Sequence, residues 1–369
     1  MNLECDVLII GGGIAGLSLA SELAPHRSIV LAEAEPTLAY HTSSRSARQL
    51  IPSYGPPEVQ DLTRRTLEIL TALQAETGLA LTAPRAFLLV GSARDVAAKA
   101  SGSMRPIPHS EALELCPQLQ PDVFEAAGID TTCVGADTDL LLEYHRRAAE
   151  DAGVIVLTRS RVTEARYDDD AWLVRAGRRD VRAGVVVNAA GAWADAVADL
   201  CGAAPQGLIP FRRTAAIVAA ACVPDTRMPM VAAADDSFYF RAENRGLLIS
   251  PCESVPAVAG DAQPNPGDID TLIERLNSIT TLGITSVTRS WTGLRTQTAR
   301  GLPVVGFDPG VPGLFWLAGQ GGYGFQTSSG LAELATGLLT GTGDATGPAA
   351  GLRPRTGEEI SRDGAPEWS

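Results

Sequence analysis

Lysine is almost absent from this chain: Lys99 is the only one in 369 residues, so the positive charge rests on arginine. Schiff-base chemistry is left with one poor candidate, in a helical and exposed setting. Cys5, Cys116, Cys133, Cys201, Cys222 and Cys252 are scattered, with no CxxC pair. Isolated reduced thiols are therefore expected in place of a disulfide framework or a zinc centre. His26, His41, His109 and His145 are equally dispersed, and no metal site is expected. No run of about 18 apolar residues occurs, and no charged leader precedes the first strand, so neither a membrane span nor a signal peptide is read. These absences point to the cytoplasm, with peripheral attachment to the inner membrane left open. A formal charge of -13 repels phosphate backbones and anionic lipid, which disfavours nucleic acid as a partner. What is present is globular: 45% hydrophobic and 20% charged residues, in a chain long enough for two domains.

The strongest local signal is Cys5-Asp6-Val7-Leu8-Ile9-Ile10-Gly11-Gly12-Gly13-Ile14-Ala15-Gly16, an apolar run that breaks into glycines and re-enters a helical pattern. It reads as strand, tight turn and helix. Gly11 makes the turn, Gly13 lets the backbone approach a pyrophosphate, and Gly16 lets the helix pack on the strand. A second apolar run, Ser28 to Leu31, is followed by Glu33 at the distance where an acid meets a ribose hydroxyl. Adenine-dinucleotide binding is the expectation. The hydroxyl-rich stretch from Ala39 to Arg48 reads as a further contact, since Ser and Thr at a helix start can hold phosphate. The run Val185 to Trp193, through Asn188-Ala189-Ala190-Gly191, reads as another strand ending in a turn of small residues.

Periodicity predicts a helix opened by Pro56-Pro57 and stopped by Gly78, a strand at Ala86–Val90, and helices over 93–100 and 110–115. A helix from Thr138 to Ala152, a strand from Val154 to Leu157 and a hairpin turning at 168–170 follow. From Pro210 to Arg295 short strands dominate and an antiparallel sheet is expected, with one helix near 270–279 and a surface loop over 257–268. A strand at 313–319, ending in glycines, leads to a helix beginning near Thr327. The residues 347–369 lack periodicity and read as a loosely held tail.

Taken together, Gly11-x-Gly13-x-x-Gly16 with Glu33, Arg45-Ser46-Ala47, Tyr54-Gly55, Asn188 to Trp193, Arg212-Arg213, Ser237-Phe238-Tyr239, Trp291-x-Gly293-Leu294-Arg295 and Gln320 to Ser328 resemble the flavin-dependent D-amino acid oxidase superfamily. Within it the likeness is greatest to bacterial FAD-dependent D-arginine dehydrogenases. The resemblance covers Val7 to about Leu338. It implies an α/β fold: a discontinuous Rossmann-type FAD-binding domain (1–50, 138–209 and 292–346) and an inserted substrate domain of antiparallel sheet and helices (51–137 and 210–291). It implies non-covalent FAD held by Gly11, Gly13, Ile14, Ala15, Gly16, Glu33, Ala34, Ser44, Arg45, Ser46, Ala47, Gln49, Val162, Ala190, Gly191, Trp193, Arg295, Gly322, Tyr323, Gly324, Phe325 and Gln326. Arg295 would clamp a substrate carboxylate in a bidentate fork, which guanidinium geometry supplies and lysine does not. Tyr54, Arg213 and Tyr239 would complete that end, and the Gly321 carbonyl would accept from the substrate amine.

The expected reaction is hydride transfer from Cα to flavin, with hydrolysis of the imino acid to a 2-oxo acid and ammonia. Where D-arginine dehydrogenases carry a glutamate for the cationic side chain, this chain has Ala86, and Gln49 and Ile51 replace a histidine and a threonine. A neutral or apolar amino acid is expected, or an acidic one if Arg85 points inward. A 2-hydroxy acid or an N-methyl amino acid substrate, and a non-catalytic flavin-binding subunit, are the alternatives. Leu247-Leu248 stands where sarcosine oxidases carry a lysine, which leans toward a dehydrogenase; quinone and oxygen both remain as electron acceptors.

Overall fold

A computed structural model of the chain describes residues 2–243, 246–343 and 348–362. Its first sheet has eight strands, in the order Val162–Asp168, Ala171–Ala176, Arg179–Asn188, Leu3–Ile10, Ile29–Ala32 and Ile155–Leu157, with Leu314–Ala318 also on Arg179–Asn188 and Val304–Phe307 beyond it. The strands Arg179–Asn188, Leu3–Ile10, Ile29–Ala32, Ile155–Leu157 and Leu314–Ala318 run parallel to one another. Parallel strands are covered on both faces, which is why Val7 to Ile10, Val185 to Val187 and Leu314 to Leu317 read as continuous apolar runs. The hairpin Val162–Ala176 turns at Asp169 and Asp170, both left-handed with φ of 49° and 59°. Aspartate tolerates that region better than most residues. Helix Ile14–Leu23 packs between Ser328–Thr340 and Thr138–Asp151.

The second sheet has nine strands and is mixed, not purely antiparallel as expected: Met230–Ala233 runs parallel to Phe87–Gly91. Those two strands come from inserts far apart in the chain, so no hairpin dictates their direction. The long strands Ile209–Ala220 and Ile284–Gln297 pair antiparallel along their lengths, with Arg213 opposite Gly293 and Phe211 opposite Arg295. Residues opposite each other share a face, so Arg213 and Arg295 are diagonal neighbours on one side of the sheet. A small sheet of Gln49–Leu50, Val134–Ala136 and Thr82–Pro84 fixes the strand that carries Gln49. Helix Pro57–Thr77 begins with Pro at its first position and ends at Gly78, left-handed at φ 73°, as its sequence predicts.

The expectation of a loose C-terminal tail fails over the part that is described. Leu352 is 1% exposed and belongs to the core beneath the parallel sheet, and the Gln206 side chain brackets the backbone of Arg355 at 2.9 and 2.8 Å. One buried leucine and two hydrogen bonds anchor a segment too short to show any period. Residues 347 and 363–369 of that stretch lie outside the described residues. Among the described residues no helix is long and apolar enough to cross a membrane.

Candidate active site

Gly11 has φ of 113°, and a Cβ there would lie 2.4 Å from the Ala189 carbonyl oxygen. A Cβ on Gly16 would lie 2.0 Å from the Gly11 carbonyl oxygen. Neither position admits another residue, and the first turn of helix Ile14–Leu23 is thereby pressed against two strand ends. Gly13 caps that helix without a side chain, and Ser43 Oγ accepts from Ile14 N at 2.9 Å. The Glu33 carboxylate accepts from Gly12 N at 2.7 Å and from Glu35 N at 2.8 Å, which holds it at the end of its strand. A cleft opens here, lined by Gly11, Gly13, Glu33, Ala34, Val162, Ala190, Gly191 and Trp193 among others.

A second cleft shares Thr42 and Ser43 with the first, so the two form one path. It is lined by Ile14, Arg45, Ser46, Ala47, Gln49, Tyr54, Arg213, Tyr239, Arg295, Gly321, Gly322, Gly324, Phe325 and Gln326. An extended dinucleotide fits this path: a glycine turn with a helix N-terminus at one end, and a chamber lined by Arg213, Tyr239 and Arg295 at the other. Ala15, Gly16, Ser44 and Tyr323 line neither cleft. Ser44 Oγ donates to the carbonyls of Tyr40 and His41 at 3.0 Å, and Tyr323 packs on the Tyr54 ring at 5.4 Å. Arg45 is engaged by the Thr292 carbonyl at 2.6 Å and by Asp261, and the Gln326 amide by Thr63 Oγ1 at 3.0 Å. Both are struts of the cleft wall.

Arg213 gives its Nε to the Glu253 carbonyl at 2.8 Å, and neither Arg213 nor Arg295 has a carboxylate partner among the described residues. Burial pulls the Arg295 guanidinium down, but the phenols of Tyr54 and Tyr239 outweigh it and raise its pKa. Burial raises the Tyr239 phenol, with Arg295 opposing, so its hydroxyl remains a donor. The chamber's other wall is apolar, with Ile51, Phe87, Met230 and Ala232. Its one acidic lining residue is Asp236, which pairs with Lys99 at 2.5 Å.

The sequence reading set Ala86 where the family's glutamate stands and allowed an acidic substrate if Arg85 points inward; the structure corrects the first and does not meet the second condition. Ala86 packs against the core on the far side of the nine-stranded sheet, and its neighbour Phe87 lines the chamber. The Arg85 guanidinium lies against Gly135, outside the chamber lining. The stretch Ala39 to Arg48 was expected to contact the dinucleotide, and its Thr42 and Ser43 prove to be the join between the clefts; sequence reasoning passed over Met230, Asp236 and Cys252 as lining. Cys252 follows the strand Gly246–Ser250 in a left-handed conformation at φ 56°, and burial raises its thiol pKa. Of these only Met230 lies on a strand, which was legible although the face that meets the chamber was not; Thr42, Ser43, Asp236 and Cys252 lie in turns and loops that tertiary contacts place.

A family profile for FAD-dependent oxidoreductases matches residues 6–338. The chain belongs to that family, the DAO family. FAD is its cofactor. Dimethylglycine dehydrogenase of Rattus norvegicus is 25% identical over 89% of this chain, which spans only 42% of that protein. Glycine oxidase of Geobacillus kaustophilus is 25% identical over 87% of this chain and 89% of its own length. The solved structure of that oxidase superposes with a TM-score of 0.84 at 22% identity, covering 96% of this chain and 99% of the other. L-proline dehydrogenase from P. horikoshii superposes with a TM-score of 0.86 at 19% identity, covering 98% and 99%. At these identities the structures establish a common fold.

Proposed function

We propose that this protein oxidises the Cα–N bond of a free amino acid, D-configured and with a neutral or apolar side chain, to the 2-oxo acid and ammonia. The observation that carries the reading is the Arg295 fork, without a carboxylate partner, facing a chamber whose other wall is Ile51, Phe87, Met230 and Ala232. FAD, when bound, supplies the hydride acceptor. The chain's own residues do the positioning. Arg295 and Arg213 hold the carboxylate, and the hydroxyls of Tyr54 and Tyr239 complete that end. The Gly321 carbonyl accepts from the amine, which fixes Cα, and the apolar wall excludes water from it. An amine that binds neutral requires no protein base.

The sequence resemblance to D-arginine dehydrogenases supports the D configuration. A guanidinium side chain is disfavoured, because the one acidic lining residue, Asp236, is largely exposed to solvent and paired with Lys99, so a cation gains little there. The second reading, glycine or an N-methyl amino acid, is supported by the names of two relatives, glycine oxidase and dimethylglycine dehydrogenase. Anaerobic bleaching of the flavin with D- and L-amino acids, glycine, sarcosine, dimethylglycine and 2-hydroxy acids separates the readings. D-leucine or D-methionine should bleach faster than D-arginine. The opposite order refutes the proposal, and fastest bleaching by glycine or sarcosine replaces it with the second reading.

A further inference from the structure

Arg241 is 2% exposed, the most deeply buried arginine among the described residues. Its Nε donates to the Ala47 carbonyl at 3.1 Å, its Nη1 to the Ala242 carbonyl at 3.3 Å, and its Nη2 lies 2.5 Å from Glu243 Oε2 in an ion pair. Burying such a pair costs more than packing a hydrocarbon in the same space, so stability alone does not account for it. What Arg241 reaches is the segment from Arg45 to Gln49, which borders the chamber through Arg45, Ser46, Ala47 and Gln49.

Three carbonyls of that segment are tied on the protein side. Trp291 Nε1 donates to the Arg45 carbonyl at 3.1 Å, Arg241 to that of Ala47, and Ala136 N to that of Arg48 at 3.0 Å. The carbonyl of one residue shares its peptide plane with the N–H of the next, so these tethers fix the peptides that carry the N–H groups of Ser46, Arg48 and Gln49. Among the described residues the N–H groups of Ser46 and Ala47 have no hydrogen-bond partner, whereas Arg48 N meets Ser46 Oγ at 3.0 Å. Arg48 itself is left-handed at φ 57°, a conformation that persists only where its surroundings hold it.

We propose that Arg241 is a positioning residue for the flavin: by holding the Ala47 carbonyl from behind, it fixes the Ala47–Arg48 peptide, and with it the left-handed turn behind the cleft wall on which the free N–H groups of Ser46 and Ala47 sit. Arg241 touches neither cofactor nor substrate and acts through the backbone of residues 46–48. The inference concerns the cofactor wall and is independent of which amino acid is oxidised.

The test uses purified holoenzyme carrying Arg241→Met or Arg241→Lys. The readouts are the visible flavin spectrum, the midpoint potential and FAD affinity after deflavination. Arg241→Met, which keeps the length and loses every donor, should weaken FAD binding about ten-fold and shift the flavin bands. Arg241→Lys refills the space and keeps the charge, but one Nζ cannot serve both carbonyls; affinity should fall several-fold, with a smaller band shift. If Arg241→Met does not fold, Arg241→Lys decides alone. A folded variant with unchanged FAD affinity, spectrum and potential overturns the proposal, as does an effect confined to the melting temperature.

Discussion

Arg295 lies flat against Gly322, where a Cβ would come within 2.9 Å of Nη1 and 3.0 Å of Cζ. The glycine is thus the surface on which the fork rests, and only a flexible side-chain tip opposes a larger residue. Gly322→Ala should fold and retain FAD, but displace the fork and raise KM about ten-fold, as steady-state kinetics with the best substrate would show. Arg295→Lys keeps the charge and loses the second parallel hydrogen bond; kcat/KM should fall by about a hundred-fold or more while the flavin spectrum persists. Arg295 was legible in the sequence because a glycine and an aromatic precede it in an ordered set of blocks. Phe87 was not, because a shift of one position along a strand exchanges its two faces and no local pattern tells Ala86 from Phe87.

His145 sits on helix Thr138–Asp151, where its Nδ1 meets Ser21 Oγ of helix Ile14–Leu23 at 2.7 Å. Burial lowers its pKa to about 4 from an ordinary 6.5. The folded state therefore favours the neutral ring, and as pH falls below about 6.5 the unfolded chain takes up a proton that the folded chain refuses. Stability is lost between pH 6.5 and 4. The linkage amounts to about 2 kcal/mol between pH 7 and pH 5, and His145→Gln should remove that part of the pH dependence in chemical denaturation at the two pH values. Element limits were largely legible, since Pro57 and Gly78 bound one helix and Asp169 and Asp170 turn a hairpin by their own backbone preferences. Pairing direction was not. Met230–Ala233 and Phe87–Gly91 lie parallel because separate inserts meet in space.

Across the whole molecule the cofactor path joins residues 11–13, 42–49 and 321–326, segments brought together by the parallel sheet and the long antiparallel pair. A ligand that binds the folded chain alone stabilises it by mass action, about 4 kcal/mol at a thousand-fold excess over Kd. Deflavination should therefore lower the melting temperature by several degrees, and added FAD should restore it in a thermal-shift titration. Flavin remaining on the chain after acid precipitation would refute non-covalent attachment. The C-terminal segment belongs to the same scale. Leu352→Ala should cost about 2 to 4 kcal/mol, measured by denaturant unfolding of the holoenzyme, because it empties a site in the core under the sheet.

The sequence by itself determined the glycine turn at Gly11 to Gly16, the acid at Glu33, the run into Gly191 and the arginine after Gly293, because each depends on local backbone chemistry: a left-handed φ, a contact too close for Cβ, an apolar run covered on both faces. Tertiary structure alone decided that Thr42 and Ser43 join two clefts, that Phe87 and Met230 form the apolar wall, that Asp236 is spent on Lys99, and that Arg241 reaches Ala47. Those are contacts between residues tens to hundreds of positions apart. Their geometry follows from strand register and sheet twist, which no local preference encodes.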